Sequence, residues 1–291
     1  MNGSLLKLWG PGSTLGIVGG RGEMGQFFAN FFRKRGYRVI ISDPKGSEYS
    51  NEELISEAKV VLFSVPLHES VSILERYSPM LKEDQLAVDI SSLKGPQIRA
   101  MLKGSSAVVG LHPMFGGKIR STKGQTIVAC PARIEQKAWE AFKGQFEAEG
   151  FRVVECSPDK HDRMMAIIQV LFHLSTMLKG RVLREMDVNI DDTLQFTSPI
   201  YRLEISILGR MFAQNPWLYA AIFQMNPHTP EVIEHLQKGI EHFKTLYKNS
   251  DISGVVEQFC LSADHLGSFC QKAYKESSEL VEFSNRLYNN V

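Results

Sequence analysis

The 291-residue sequence predicts an α/β fold, a doubly wound Rossmann-type parallel sheet followed by an all-helical domain. Three observations predict it. Short β-rich runs alternate with helical segments through the first half of the chain. A glycine-rich turn joins the first of these runs to the first helix. Beyond Ser157 no convincing strand remains. Several of the β-rich runs are continuously apolar, as parallel strands covered on both faces should be.

The first strand is expected at Leu15–Val18. Gly20, Gly22 and Gly25 follow it in the spacing G-x-G-x-x-G. In that spacing the first glycine permits a tight turn, the second lets backbone approach a pyrophosphate, and the third lets helix and strand pack closely. The helix N-terminus then offers free N–H groups and a positive dipole end to phosphates. The helix carries Met24, Phe27, Phe28, Phe31 and Phe32 on one face, a core face, and Gly36 stops it. A second strand, Arg38–Ser42, ends at Asp43, near the ~20-residue spacing of an acid that binds a ribose. A lone glycine motif is weak, and a structural turn in another α/β domain would also satisfy it. Its placement between strand, helix and acid points to a dinucleotide. Asp43 would favour NAD, since its carboxylate repels a 2′-phosphate. Further strands are expected at Val60–Val65, Leu86–Ile90, Ala107–Leu111, Thr126–Ala129 and Arg152–Glu155.

Ligands of open α/β sheets sit beyond the carboxyl ends of the strands. The residues there are Pro66-Leu67-His68, Ser91-Ser92-Leu93-Lys94-Gly95 and His112-Pro113-Met114-Phe115-Gly116-Gly117. Oxidation of an alcohol needs a group that takes the hydroxyl proton, and a histidine can do so near neutral pH. His112 is the best candidate; the alternative is a histidine that bonds a turn. His68 suits a cofactor contact or solvent. His161, His228, His235, His242 and His265 read as surface residues. His173, beside Leu171 and Leu174, reads as a satisfied core histidine.

The helical half opens at Ser157, a cap with Pro158 at the first helical position. Met164, Ile167, Ile168, Leu171, Leu174 and Leu178 recur at helical spacing up to Met186. Further helices are expected at Thr193–Gln214, Pro216–Met225, Thr229–Asn249 and Ile252–Tyr288. The expected organisation is a tail at 1–13, a nucleotide-binding domain at 14–157 and a substrate and dimerisation domain at 158–291. Arg202 and Arg210 share one helix face. Solvent or the neighbourhood of Glu204 is open to Arg202. Arg210 lies among apolar residues and wants an anion, from protein or from substrate. Phe196, Leu203, Ile207, Leu208, Met211, Phe212 and Trp217 exceed what one thin layer hides, which predicts a homodimer.

A net charge of +1 gives no sign of a nucleic-acid or acidic-membrane partner. No apolar run reads as the ~18 residues of a membrane span. Leu5, Leu6, Leu8 and Trp9 make too short a stretch for a signal peptide, so the cytoplasm is expected. Cys130, Cys156, Cys260 and Cys270 lack C-x-x-C spacing and read as buried or free thiols, and no metal site is expected.

Four segments of the first half stand out together: Gly-Ile-Val-Gly-Gly-Arg-Gly-Glu-Met-Gly (16–25), Ser-Val-Pro-Leu-His (64–68), Asp-Ile-Ser-Ser-Leu-Lys (89–94) and Gly-Leu-His-Pro-Met-Phe-Gly (110–116). Ser-Pro-Ile-Tyr-Arg-Leu-Glu (198–204) and Gly-Arg-Met-Phe-Ala-Gln-Asn-Pro (209–216) join them from the helical half. In this order they resemble the prephenate dehydrogenase family, most strongly the dehydrogenase part of the bacterial chorismate mutase–prephenate dehydrogenase fusion. The resemblance implies NAD-dependent oxidative decarboxylation of a small dicarboxylate. It implies that His112 meets the substrate 4-hydroxyl, that Ser92 helps hold it, and that Arg210 binds a substrate carboxylate. His173 and Arg202 would belong to the substrate pocket or its surroundings. The cofactor contacts would be Gly20, Arg21, Gly22, Glu23, Met24, Gly25, Asp43, Val65 and Pro66. The fusion carries a mutase domain ahead of the glycine turn; with about fourteen residues there, this chain is not expected to carry that activity. Relatives that oxidise 4-amino-4-deoxyprephenate are an alternative. Two-domain dehydrogenases that use a lysine on the long helix fit poorly, because Lys179 stands far from that helix's start. A silent NAD-binding regulator is disfavoured because His112, Ser92 and Arg210 all stand at the expected places.

Overall fold

A computed structural model describes residues 9–289; Leu5, Leu6 and Leu8 of the apolar tail lie outside them. The chain divides into two compact units. The first runs to Gln169 and includes Ala220–His228; the second comprises Val170–Tyr219 and the chain from Thr229 onward.

The first unit is built on a seven-stranded sheet in the order β2-β1-β3-β4-β5-β6-β7. Its strands are β1 (Thr14–Val18), β2 (Arg38–Ser42), β3 (Val60–Phe63), β4 (Leu86–Asp89), β5 (Ala107–Pro113), β6 (Thr126–Arg133) and β7 (Arg152–Glu155). The helices between them are α1 (Glu23–Arg33), α2 (Asn51–Glu57), α3 (Leu67–Tyr77), α4 (Gly95–Met101) and α5 (Gln136–Glu147). Each expected strand is present. The sheet is not wholly parallel, however, because β5 and β6 pair antiparallel, His112 opposite Val128. Residues 114–125 between them form no helix, so no crossover carries the chain back to a parallel start.

Both faces of the sheet are covered. Leu15, Ile17, Leu62 and Val88 pack with Phe28, Phe32, Trp139, Phe142 and Phe146 on one side. Val18, Val61, Phe63 and Val108 pack with Leu54, Ile98 and Met101 on the other. The α1 phenylalanines form the core expected of them, with Phe28 and Phe32 fully buried. Burial of each such side chain contributes roughly 1.5–3 kcal/mol. Gly36, at φ 83°, ends that helical segment.

The first unit continues beyond residue 157 for a physical reason. Helix α6 (Pro158–Met165) begins at Ser157, whose hydroxyl accepts from the Lys160 amide. The Asp162 carboxylate of α6 accepts from the Lys94 and Gly95 amides at the start of α4, both at 2.8 Å. Asn226 Nδ2 donates to the Asp162 carbonyl, tying the segment at 220–228 to the same place. A π-helical turn, Ala166–Leu171, follows α6.

The second unit is helical: α7 (Phe172–Glu185), α8 (Ile190–Gln195), α9 (Pro199–Phe212), α10 (Pro216–Met225, which passes into the first unit at Ala220), α11 (Thr229–Lys248), α12 (Ile252–Leu266) and α13 (Phe269–Asn289). Two expected helices are broken. Ser198 caps α9 afresh and Pro199 cannot continue α8. Gly267, at φ 56°, separates α12 from α13. Pro158–Glu185 is long and apolar enough by length and composition to cross a membrane, contrary to the expectation that no run would be. Its apolar side chains are spaced by polar ones, so the length shows only once the helices are seen to run on. Phe196, Ile207, Phe212 and Trp217 are exposed, whereas Met211 is buried. The four cysteines are free thiols; Cys130 is buried and Cys260 exposed.

Candidate active site

The glycine turn follows β1 and leads into α1. The left-handed residue of the turn is Gly19, at φ 77°, not Gly20 as the motif suggested. A Cβ on Gly19 would stand 2.4 Å from the Ser64 carbonyl oxygen beyond β3. A Cβ on Gly25 would stand 2.7 Å from the Gly19 oxygen, so this glycine sets the close approach of helix to turn. Gly22 caps α1 without any side-chain hydrogen bond, leaving the first helical amides to an incoming anion. Arg21, Gly22 and Glu23 are exposed, and Met24 is partly buried. The Asp43 carboxylate accepts from the amides of Arg21 and Lys45, both at 2.9 Å, which fixes its position at the end of β2. Beside it opens a polar cavity of about 740 Å³ lined by Arg21, Gln26, Arg33, Arg38, Ser47 and Tyr49. The turn, the uncapped amides and an acid at the end of β2 fit a dinucleotide. Val65 and Pro66 lie past the end of β3, Pro66 exposed ahead of α3. His68 is exposed beside Glu69, 3.4 Å away.

His112 is not on a loop. β5 continues through it to Pro113, and the ladder with β6 holds it in place. Its ring is buried, and its Nδ1 lies 2.9 Å from Nε2 of His161. His161 Nδ1 lies 2.7 Å from Asp162 Oδ1. The expectation that His161 sits at the surface is therefore wrong: it is 1% exposed. Burial works to raise the Asp162 carboxyl, but hydrogen bonds from His161 and from the Lys94 and Gly95 amides outweigh it and hold it below the usual range. Burial lowers His161, with the Asp162 hydrogen bond pulling the other way. Burial, the neighbouring His161 and the Lys94 charge hold His112 well below the usual histidine value.

These assignments fix the protons. Ionised Asp162 can only accept, so His161 carries its proton on Nδ1. His161 Nε2 must then accept from His112 Nδ1–H. The lone pair of neutral His112 is left on Nε2, the state a proton acceptor needs. Behind it, Lys94 Nζ pairs with Asp89, and both side chains are fully buried. Ser91 Oγ donates to Asp89 Oδ2 at 2.9 Å. Removing one partner of such a pair would strand a buried charge. The pair thus braces the Ser91–Lys94 turn, on which Ser92 is half-buried.

The remaining expected residues lie in the second unit. His173 packs edge-on against Tyr219, ring centroids 4.8 Å apart. Its Nδ1 is buried without a partner, so it is not the satisfied core histidine expected. Burial raises the Tyr219 hydroxyl, and the Arg210 charge offsets part of that rise. Arg210 is exposed on α9, and Glu204 pairs with Lys179 at 3.1 Å. Arg202 is half-buried on the same helix. Sequence reasoning missed Gly19, Asp89, Lys94, His161 and Asp162. The doubled glycine at 19–20 and the adjacent His161-Asp162 pair were the available signals.

Fold and site define a two-domain, nucleotide-binding α/β protein with an all-helical second part. A family model described as "Prephenate dehydrogenase, nucleotide-binding domain" matches residues 29–155, and "Prephenate dehydrogenase, dimerization domain" matches residues 157–261. The chain is similar to the T-protein of Haemophilus influenzae, 35% identical over 93% of this chain and 72% of that protein. It is 31% identical to a probable arogenate/prephenate dehydrogenase of Methanocaldococcus jannaschii, over 92% of this chain and 64% of the relative. A crystal structure of prephenate dehydrogenase from Aquifex aeolicus shares the fold, with a TM-score of 0.67 at 21% identity, covering 86% of this chain and 98% of that one. The chain belongs to the prephenate dehydrogenase family.

Proposed function

We propose that the protein is an NAD-dependent prephenate dehydrogenase, which converts prephenate to 4-hydroxyphenylpyruvate and carbon dioxide. The observation that carries this reading is the His112–His161–Asp162 chain, which leaves a neutral imidazole with its lone pair on Nε2. NAD, when bound, supplies the hydride acceptor. The turn amides and the α1 N-terminus hold its phosphates, with Gly20, Arg21, Gly22, Glu23, Met24 and Gly25 against them, and Asp43 takes the ribose hydroxyls. Val65 and Pro66 border the same cofactor.

The C4–H bond of prephenate breaks with its electron pair, while the C4 hydroxyl proton passes to His112 Nε2 and the oxygen becomes a carbonyl. The bond from C1 to its carboxylate then breaks and carbon dioxide leaves; its electron pair moves through the ring, which becomes aromatic, to the C4 oxygen, and that oxygen takes back a proton from His112 Nε2 to give the phenol. Aromatisation drives this step, so the protein's task is to position. Ser92 holds the hydroxyl, and Arg210 holds a substrate carboxylate through charge-assisted bonds. His173 and Arg202 complete the surroundings of the substrate. The reading includes a homodimer, supported by the dimerisation-domain match, and a cytoplasmic location, suited to a small charged substrate and a nicotinamide cofactor.

The test follows NADH formation with prephenate, arogenate and 4-amino-4-deoxyprephenate side by side. A relative at 24% identity, from Streptomyces pristinaespiralis, is a 4-amino-4-deoxyprephenate dehydrogenase, which makes the third arm necessary. Prephenate is expected to give the highest kcat/KM. A higher value with either other compound would reject the substrate assignment.

A further inference from the structure

The π-helical turn Ala166–Leu171 brings one more side chain to His112. A π-turn inserts an extra residue into the helical repeat and is frequent at functional sites. Gln169 sits on this turn, and its Nε2 lies 3.5 Å from His112 Nε2. That distance is at the outer limit of a hydrogen bond. Both nitrogens can nevertheless reach one shared oxygen at ~2.8–3.0 Å. Gln169 Oε1 is buried with no protein partner. A glutamine kept for packing has both ends of its amide satisfied. This one has neither end well bonded, beside the atom that takes the substrate proton.

We propose that Gln169 touches the reacting C4 oxygen, its Nε2–H donating to that oxygen while the hydroxyl proton goes to His112 Nε2. The proposal rests on the reading of the protein as a prephenate dehydrogenase. It accounts for the direction of the amide: His112 Nε2 is an acceptor, so the NH2 end of Gln169 faces it. The donated bond strengthens as the oxygen loses its proton and gains negative charge.

The ionisable groups around His112 are His161 and Asp162 on α6, Lys94 ahead of α4 with its partner Asp89 on β4, and the Cys130 thiol on the same face of β6. A carboxylate at position 169 would add one anion directly against Nε2. Gln169→Leu should keep NAD affinity, read by protein fluorescence, and keep its melting temperature. Its kcat/KM for prephenate should fall by roughly ten- to a hundred-fold, mostly in kcat. Gln169→Glu should raise the titration midpoint of the His112 imidazole, followed by NMR, by about one pH unit or more. The acid limb of kcat/KM should move with it. Turnover within two-fold of wild type in Gln169→Leu would overturn the proposal. So would a His112 titration in Gln169→Glu that coincides with wild type. If Gln169→Leu proves unstable, the Gln169→Glu titration decides. The activity assignment fails separately, by wild-type protein that makes no NADH from prephenate; the His112 titration needs no turnover and still decides the contact.

Discussion

His112 depends on what stands behind it. Only an acceptor at Asp162 keeps the proton of His161 on Nδ1 and the lone pair of His112 on Nε2. Asp162→Asn can offer an N–H to His161 instead, reversing both tautomers. Turnover should fall on the order of 10²–10⁴-fold while NAD affinity holds, as expected when an acid–base histidine loses its orienting acceptor. Steady-state kinetics beside a fluorescence titration with NAD checks this, and turnover near wild type would remove the chain from the mechanism. The same histidines link stability to pH. Both are held neutral by burial, with folded values below that of an unfolded histidine, ~6.5. The unfolded chain therefore binds more protons below that pH. Their contribution to stability is full above ~6.5 and is lost as pH falls toward the lower folded values. Melting temperature should drop between pH 7.5 and pH 5, and less steeply in His112→Asn. Equal slopes in the two proteins would contradict it.

At the scale of elements, the glycine turn and β5 do different work. The turn must let α1 start against the ends of β1 and β3. Gly25→Val would place atoms where the Gly19 oxygen and the Gly20 backbone already stand, each within 3 Å of the first added carbon. Calorimetric NAD affinity should fall at least ten-fold, while the phenylalanine core, which lies further along α1, keeps the domain folded. Unchanged affinity would show that the turn does not hold the cofactor. β5 holds His112 on a ladder rather than a loop, so its imidazole is placed by backbone hydrogen bonds on a rigid strand. Gly117, beyond it, lies so close to Glu23 that a Cβ would stand 2.7 Å from the Glu23 carbonyl oxygen. The segment after His112 and the start of α1 are thereby in register.

At the scale of the molecule, the second unit leaves large apolar side chains in water. Phe172, Phe196, Trp217, Ile252, Phe259 and Tyr274 are each more than half exposed, up to 90% for Phe196. Exposed apolar surface of this extent marks an interaction site, and a two-fold pairing of identical copies is the commonest solution. The long helix Pro158–Glu185 belongs to the segment matched by the dimerisation-domain model. Light scattering at micromolar concentration should give the mass of two chains. A single-chain mass would leave this surface without its proposed partner.

The strands, the glycine turn, the acid after β2 and the α1 core were legible in the sequence because each rests on local spacing: a period of two or of 3.6, or residues a fixed distance apart. The motif that contains His112 was legible for the same reason. Gly267 and Pro199 carried their breaks openly, though the expected helices ran through both. Other features depend on residues far apart in the chain. His161 stands among Asp159, Lys160, Asp162 and Arg163, a run that reads as solvated surface; it is buried because α4, β5 and α6 close over it. Whether a polar residue meets water is decided by what packs above it. The antiparallel turn into β6, the fully buried Lys94–Asp89 pair and the π-turn that carries Gln169 to His112 have the same origin. Sequence spacing determined which strands form and singled out His112; tertiary packing alone decided the protonation state of that histidine, because the state is set by His161, 49 residues away along the chain, and by Asp162 behind it.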